Sequence, residues 1–481
     1  MNPLNQGHCQ SRRHFVGSTA FGIGGLGLAQ LLQQDAMAAP AKPALEKPTF
    51  DLSAKAPPRP ARAKAMISLF MGGGPSHLDM LDPKPLLEKY DGKQFPGTDI
   101  KYDNAGGASS TVMASPFKFR KHGQCGTEVS ELLPHTAGIV DEIAVVRSMN
   151  LGGLRNHVAG MRALNTGIGQ AGRPALGSWM TYGLGTESQE LPAFVALIVG
   201  SNPPGSPYWS SAMLPSIYQG TVVRDKAPRI MNLDPPAHLK GEAQARQFSL
   251  LEQLNQIHLR QHPGEHDLEA RIASYELAAN MQLAAKEALD IANESEATRK
   301  LYGLDNNLTR QMGEACIIAR RLVERGVRFV NIWHYAWDMH ENINGVLPGR
   351  CQRTDQPSAA LVKDLKMRGL LDTTLVHWGG EMGRLPVIQN RGENKKPGRD
   401  HNTDGFSMWL AGGGIKPGIT YGATDEFGHK AVEDVVHHYD YHATLMDLFG
   451  MDNQHLAFKR NAREETLLNG QPGKIQTGLL A

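Results

Sequence analysis

Cysteine is scarce: four in 481 residues, with no Cys-based zinc spacing among them. Cys9 falls in a leader segment, which leaves Cys125, Cys316 and Cys351, an odd number that allows at most one disulfide within the chain. Cys316 is expected inside a helix as core packing. A disulfide-stapled scaffold is therefore excluded, and any metal has to be held by histidine and carboxylate. Charge of one sign is also lacking. Fifty Lys and Arg against 48 Asp and Glu leave a formal net charge of +2, with no clustered basic face of the kind that nucleic acid requires. No run beyond the leader approaches the length of a membrane helix, so no membrane span is expected after signal cleavage. The glycine-rich turn near residue 72 lacks G-x-x-x-x-G-K-[ST], which excludes a P-loop.

What remains is the balance of an ordinary globular protein, 41% hydrophobic and 20% charged, long enough for a large core. The 52 glycines and 29 prolines imply many loops, where α/β enzymes usually carry their sites. The leader reads "SRRHFVGSTAFGIGGLGLAQLL", with Arg12, Arg13 and Phe15 ahead of a mildly apolar run and an A-x-A cleavage site at Ala36, Met37 and Ala38. It resembles a bacterial twin-arginine signal, so residues 1–38 are expected to be removed and the protein exported to the periplasm or secreted. Residues 39–63 are a Pro/Ala-rich linker or surface-hugging arm.

A short buried strand is predicted over 66–71, running into the glycine turn, then a helix over 131–143 and a strand over 144–149. Residues 200–240 read as loops, and 240–325 as mostly helical. After that, helix and strand alternate: strands are expected over 327–333, 373–379 and 406–412, with helices over 308–326, 358–371 and 439–451. The pattern predicts an α/β fold with a largely parallel sheet covered by helices on both faces. The main domain would span 64–455, with an insertion and helical region at about 200–305 and a tail at 456–481. In such sheets ligands bind beyond the carboxyl ends of the strands, and that rule sorts the candidates.

The first is "HYAWDMHEN". Asp338 and His340 are two apart, so on extended chain they share a face with His334. Carboxylate with imidazole suits zinc, manganese or iron better than calcium; a polar loop in which His340 only caps backbone is the plainer alternative. In "TLVHWGGEMGRLP", two glycines let Glu381 and Arg384 turn toward one point, Glu381 as a ligand and Arg384 as a fork for an anionic oxygen, or the two as a salt bridge. In "GRDHNTDG", His401 is the strongest single ligand candidate because it precedes a buried strand, while Lys395 and Lys396 belong to a solvated basic loop. Ser76, His77, Asp79 and Asp82 follow the first strand. "RNHVAGMRALNTG" offers His157 and Arg162, or equally a helix start capped by Asn156. His437, His438 and His442 read as helix-start and packing residues.

In this order, "GGGPSHLDMLDPKP", "NHVAGMRALNTG", "WDMHEN", "DTTLVHWGGEMGRLP", "GRDHN", "LAGGGIKPGITYGATDEFG" and "HATLMDLFGMD" resemble the alkaline phosphatase superfamily, sulfatases in particular. More closely they resemble an exported, sulfatase-like bacterial family known only as a domain of unknown function. The resemblance implies a divalent metal, zinc or manganese before calcium. It places Glu381 at the first ligand of the Asp-His pattern and Met382 at the second, Asp338 and His340 at the preceding pair, and His401 at the late histidine. "RALNTG" then matches the end of the nucleophile helix and puts His157 where Ser, Thr or Cys would stand. The first strand, which should end in a metal-binding Asp, reads "FMGGG" instead.

The expectation is metal-assisted hydrolysis of a sulfate or phosphate ester, on a small molecule or a glycan. Asp338, His340, Glu381 and His401 are the metal ligands, Arg384 and Arg162 bind the anion, and His157 is nucleophile or acid/base. Three routes stay open: a covalent His157 intermediate, direct attack by an activated water, or a non-catalytic periplasmic protein of the same fold that binds metal or glycan.

Overall fold

The computed structural model describes residues 51–481 apart from 98–99, 104–107, 201–204, 232, 237–240, 263–264, 390–395 and 461–462. The leader and the first part of the linker, 39–50, lie outside the described residues, as does Lys395.

Among the described residues nine strands form the central sheet: β1 (Ala65–Gly72), β2 (Ile143–Asn150), β3 (Phe194–Val199), β4 (Thr221–Arg224), β5 (Phe329–Tyr335), β6 (Thr374–Gly379), β7 (Phe406–Ala411), β8 (Ile419–Tyr421) and β9 (Val436–His437). Their order is β8-β2-β7-β6-β1-β5-β3-β4, with β9 also paired to β2. All pairings are parallel except those of β7, which runs antiparallel to β2 and β6. This is the largely parallel sheet that the helix and strand alternation predicts.

The central strands are mostly apolar and buried at almost every position because both faces are covered. Along β1, Ile67, Leu69 and Met71 enter the core on one face, while Met66 and Phe70 enter the core on the other. Helices α5 (Arg310–Glu324) and α6 (Ile343–Met367) pack on the first face. Helices α1 (His157–Thr166), α2 (Leu176–Leu184) and α7 (His438–Leu448) pack on the second. The pair α3 (Glu242–Gln261) and α4 (His266–Leu289) accounts for most of the predicted helical region. In α5, Met312, Cys316, Ala319 and Leu322 recur at three and four, so one stripe is buried. Each large apolar side chain fully buried this way contributes about 1.5–3 kcal/mol.

Three elements depart from the sequence expectations. The helix predicted over 131–143 is only a turn at Pro134–Ala137 and a 3-10 turn at Val140–Glu142, since Pro134 and Gly138 interrupt it. The loop-rich 200–240 supplies the edge strand β4, whose one buried side chain, Val223, leaves little pattern to read. Helix α6 begins well before its apolar stretch and carries Pro348 and Pro357 inside it. The described part of the arm lies along the surface, with Lys55 N–H on Leu184 O (2.9 Å) and Arg59 N–H on Gly450 O (3.0 Å). Residues 456–481 supply Leu467, Leu468 and Leu479 to the core. Among the described residues no helix is long and apolar enough to cross a membrane. Cys125, Cys316 and Cys351 are all free thiols.

β1 lies between β5 and β6, and all three are parallel. Their carboxyl ends therefore open on one crevice, with the chain leaving to opposite sides of β1.

Candidate metal centre

Five segments meet in that crevice. Gly73 and Gly74 follow β1, Asp338 and His340 follow β5, and Glu381 follows β6. His401 lies on a two-residue strand paired with Gly383 and Arg384. His157 opens α1, whose N-cap Asn156 accepts from Ala159 N–H at 2.8 Å.

Three imidazoles converge on one oxygen. The Nε2 atoms of His157, His340 and His401 lie 3.1, 2.9 and 3.3 Å from Asp338 Oδ1. Arg384 Nη2 donates to the same atom at 2.8 Å. A carboxylate oxygen has two lone pairs, so four nitrogens at these distances cannot all be bonded to it. His157 Nε2 is in fact buried with no hydrogen-bond partner among the described residues. The rings of His157 and His340 also stand 4.1 and 4.6 Å from that of His401.

The far side of each ring is committed. His157 Nδ1 donates to Glu381 Oε1 at 2.6 Å. His340 Nδ1 bonds to Gln389 Oε1 and has Asp400 Oδ1 at 3.6 Å. His401 Nδ1 donates to Arg155 O at 2.9 Å, with Asp103 Oδ2 at 3.2 Å. Acceptors at all three Nδ1 atoms fix the proton there in the neutral ring and turn the Nε2 lone pairs inward.

Electrostatics follow from this crowding. Burial would raise the Asp338 carboxyl, but His157, His340, His401 and Arg384 outweigh it and hold the group far below the usual carboxylate range. Burial would lower His157, yet Asp338 and Glu381 outweigh that and push it up to about 9. Burial pushes His401 down, with Arg384 and His157 adding to the effect against Asp338. Without another cation, the cluster neutralises its carboxylates by protonating an imidazole.

The residues around the crevice are built as supports. Glu381 is fully buried and takes Gly73 N–H on both oxygens, at 3.0 and 3.2 Å, besides His157. Gly73 has φ +116°, and a Cβ there would stand 2.5 Å from Asp338 N. The position therefore admits only glycine. Arg384 is completely buried and donates to Gly74 O (2.8 Å), Arg399 O (3.2 Å), Trp337 O (3.2 Å), Gly73 O and Asp338. Packed among these acceptors with no exposed surface, it ties the strand ends together, whereas the sequence suggests a grip on a substrate oxygen.

The four atoms His157, Asp338, His340 and His401 offer all lie within 4.8 Å of one another, a spread that suits a metal ion. Imidazole nitrogens plus one carboxylate match zinc or manganese. Of the expected ligands, Asp338, His340 and His401 stand in this group; Glu381 stands one ring behind it, and His157 takes the fourth place. Asp338 has 34% of its side chain exposed, which leaves the group open on one side, as catalytic metal sites are. Arg162, five residues into α1, is half-buried, and its Nε has no partner among the described residues.

Other candidates serve the fold. Asp79 pairs with the buried Arg399 (3.0 and 3.3 Å) and accepts from Ser76 (2.5 Å). His77 bonds to Gly428 O (2.8 Å), and Asp82 meets Lys84 (3.1 Å) and Thr424. His442 bonds to Ala163 O beneath α1 (2.8 Å), and His334 Nδ1 accepts from Trp337 Nε1 (3.1 Å). Gln389 and Asp103 were not expected from the sequence; neither sits in a motif, and only the fold brings them to a histidine.

Solved structures that this chain is similar to are remote. The PsFucS1 sulfatase from Pseudoalteromonas sp. is 14% identical, with 87% of this chain and 72% of that one covered at a TM-score of 0.35. The phosphonate monoester hydrolase SpPMH from Silicibacter pomeroyi is 10% identical over 66% and 69%, at 0.32. The alkaline phosphatase from the Antarctic bacterium TAB5 is 10% identical over 73% and 92%, at 0.30. No curated protein matches the chain. A family profile matches residues 63–479, nearly the whole of the described fold, and by that match the chain belongs to the family described as protein of unknown function DUF1501.

Proposed function

We propose that this is an exported, metal-dependent hydrolase of sulfate or phosphate esters, with His157, His340, His401 and Asp338 as the metal ligands. One observation carries the metal: three imidazole Nε2 atoms around a single carboxylate oxygen, each ring held by an acceptor at Nδ1. When bound, a zinc or manganese ion supplies Lewis-acid polarisation of an ester oxygen and of a water.

The chain's own residues do the rest. Glu381, Gln389 and Arg155 O orient the three rings and keep their protons on Nδ1. Arg384 fixes Asp338 relative to the ends of β1 and β5. With both nitrogens of His157 facing carboxylates, the histidine is a ligand and not a covalent nucleophile, and direct attack by water is the favoured route. The ester class and the small-molecule or glycan substrate are supported by the order of motifs along the chain, and export by the twin-arginine pair ahead of the A-x-A site.

Elemental analysis of the purified mature protein, with a panel of aryl sulfates and aryl phosphates, tests the reading. Stoichiometric zinc or manganese, with turnover lost in His340→Ala, is the expected result. A metal-free, inert protein sinks the proposal. Bound metal without turnover on any ester would favour a binding protein of the same fold.

A further inference from the structure

A second site lies on the same edge of the sheet, beyond the ends of β3 and β5. A cavity of about 150 Å³ is lined there by His334 and Tyr335 of β5, Gln311 of α5, and Arg350 and Arg353 of α6. The arginines are three apart on one helix, so they share a face.

Their surroundings are unusual for half-buried arginines. Among the described residues neither makes an ion pair, no carboxylate lines the cavity, and Arg350 Nε is buried without a partner. Elsewhere in this layer such groups are neutralised: Arg320 meets Glu294, Glu324 and Asp364, and Arg399 meets Asp79. Burial and then Arg353 push the Arg350 guanidinium below its ordinary range. Two like charges held together in a partly enclosed space cost stability unless a counter-charge joins them.

The other polar groups also favour an anion. Trp337 Nε1–H can only donate, so His334 Nδ1 accepts and the ring proton sits on Nε2. Burial, and then Arg350 and Arg353, push His334 down to about 4 and keep it neutral. The lining is thus two guanidinium forks, an imidazole N–H and the Gln311 amide. Planar guanidinium groups bind tetrahedral oxyanions through paired N–H donors.

We propose that this cavity is a binding site for a phosphate or sulfate group, with Arg350 and Arg353 as its principal donors. It is separate from the metal centre, though β5 joins the two: its His334 and Tyr335 line the cavity, and the segment that follows carries Asp338. On the hydrolase reading, the group is a second anionic substituent of the substrate. The site itself does not depend on that reading.

Calorimetric titration of the full mature protein with inorganic phosphate and with sulfate, at constant ionic strength in chloride, tests the assignment. The expected result is a saturable site that persists in His340→Ala and is weakened about tenfold or more in Arg350→Gln and in Arg353→Gln. His340→Ala, which disables the metal centre, should leave this binding within about twofold. Phosphate should raise the wild-type unfolding midpoint and not that of Arg353→Gln. Without phosphate, the Arg353→Gln midpoint should equal or exceed wild type, because a repulsion is removed. The proposal is overturned by absence of saturable binding, or by binding that His340→Ala abolishes and the arginine variants keep. Arginine variants that unfold several degrees early without phosphate would also overturn it, since that marks a structural pair.

Discussion

His157 and Glu381 share a 2.6 Å hydrogen bond in which imidazole Nδ1 donates to a carboxylate with no solvent exposure. The two residues are 224 apart in sequence and leave different elements, a helix start and a strand end. A buried carboxylate is costly unless it is bonded on every side, and Glu381 meets that need with Gly73 N–H and His157. The bond also sets the tautomer of His157, so the opposite nitrogen faces the cluster without a proton once a cation is present.

Glu381→Gln should keep the fold and weaken metal binding about 10- to 100-fold, the usual effect of losing the carboxylate behind a ligating histidine. The amide keeps the shape but loses the charge that polarises the ring. Glu381→Ala should add about 1–3 kcal/mol of destabilisation by stranding buried Gly73 N–H and His157 Nδ1–H. A competition titration with a chromophoric zinc chelator measures the first, and urea unfolding the second. Unchanged affinity in Glu381→Gln would count against His157 as a ligand.

Single alanine variants of His157, His340 and His401 should each lower the metal content of the purified protein, whereas His442→Ala, a packing residue under α1, should retain it. The comparison separates two roles for His157. A nucleophile could be removed with the metal still in place, but a ligand cannot. Mass spectrometry of the intact loaded proteins gives the stoichiometry directly.

The sheet was legible because each central strand is an apolar run followed by glycine or polar residues, and helices alternate with strands in the second half of the chain. Asp338, His340 and Glu381 after strands, and His401 before one, stand out as chemistry-bearing residues on type and position alone. What stayed hidden depends on long-range contact. Nothing near His157 says that Asp338 and Glu381 flank it, and nothing near Arg384 says that five protein acceptors surround it. Pro348 and Pro357 concealed the first half of α6, because proline in a helix interior normally removes a hydrogen bond and ends the helix. Arg350 and Arg353 lie in that concealed stretch, so the cavity they line left no mark on the sequence reading.

Arg384→Lys should behave as a stability defect. Lysine cannot reproduce the planar fork that serves four carbonyls and Asp338. The charge is kept, so the cost is that of buried carbonyls left without a donor, about 1–3 kcal/mol. Circular dichroism melts of the metal-loaded variant should show a lowered midpoint. A wild-type midpoint with only a raised KM would assign Arg384 to substrate instead.

Gly73→Ala should be among the most damaging conservative changes. The residue sits at φ +116°, and the added Cβ would fall 2.5 Å from Asp338 N and 2.8 Å from Trp337 N. Strain and clash together exceed the ~1 kcal/mol of an ordinary glycine replacement, and relief would require moving the segment that carries Asp338. Reduced metal content should therefore accompany reduced stability. Gly92→Ala is the control: its φ is +72° but among the described residues nothing lies within 4 Å of the added Cβ, so only the backbone term remains.

Metal affinity should rise with pH up to about 9. In the metal-free protein His157 is held protonated to about that value by Asp338 and Glu381, and its Nε2 must lose a proton before it can ligate. Between pH 7 and 9 the ion competes with one proton at this ring, so apparent affinity should climb about tenfold per pH unit and flatten above 9. The same shift carries a sign for stability. A raised imidazole stabilises the metal-free fold fully below its unfolded value near 6.5, and that contribution is lost as pH rises through about 9. The metal-free protein should thus lose this contribution over the range in which it gains affinity for the ion. Zinc titrations at pH 7, 8 and 9 in buffers of differing ionisation enthalpy would read the released proton, and a pH-independent affinity across that range would remove His157 from the ligand set.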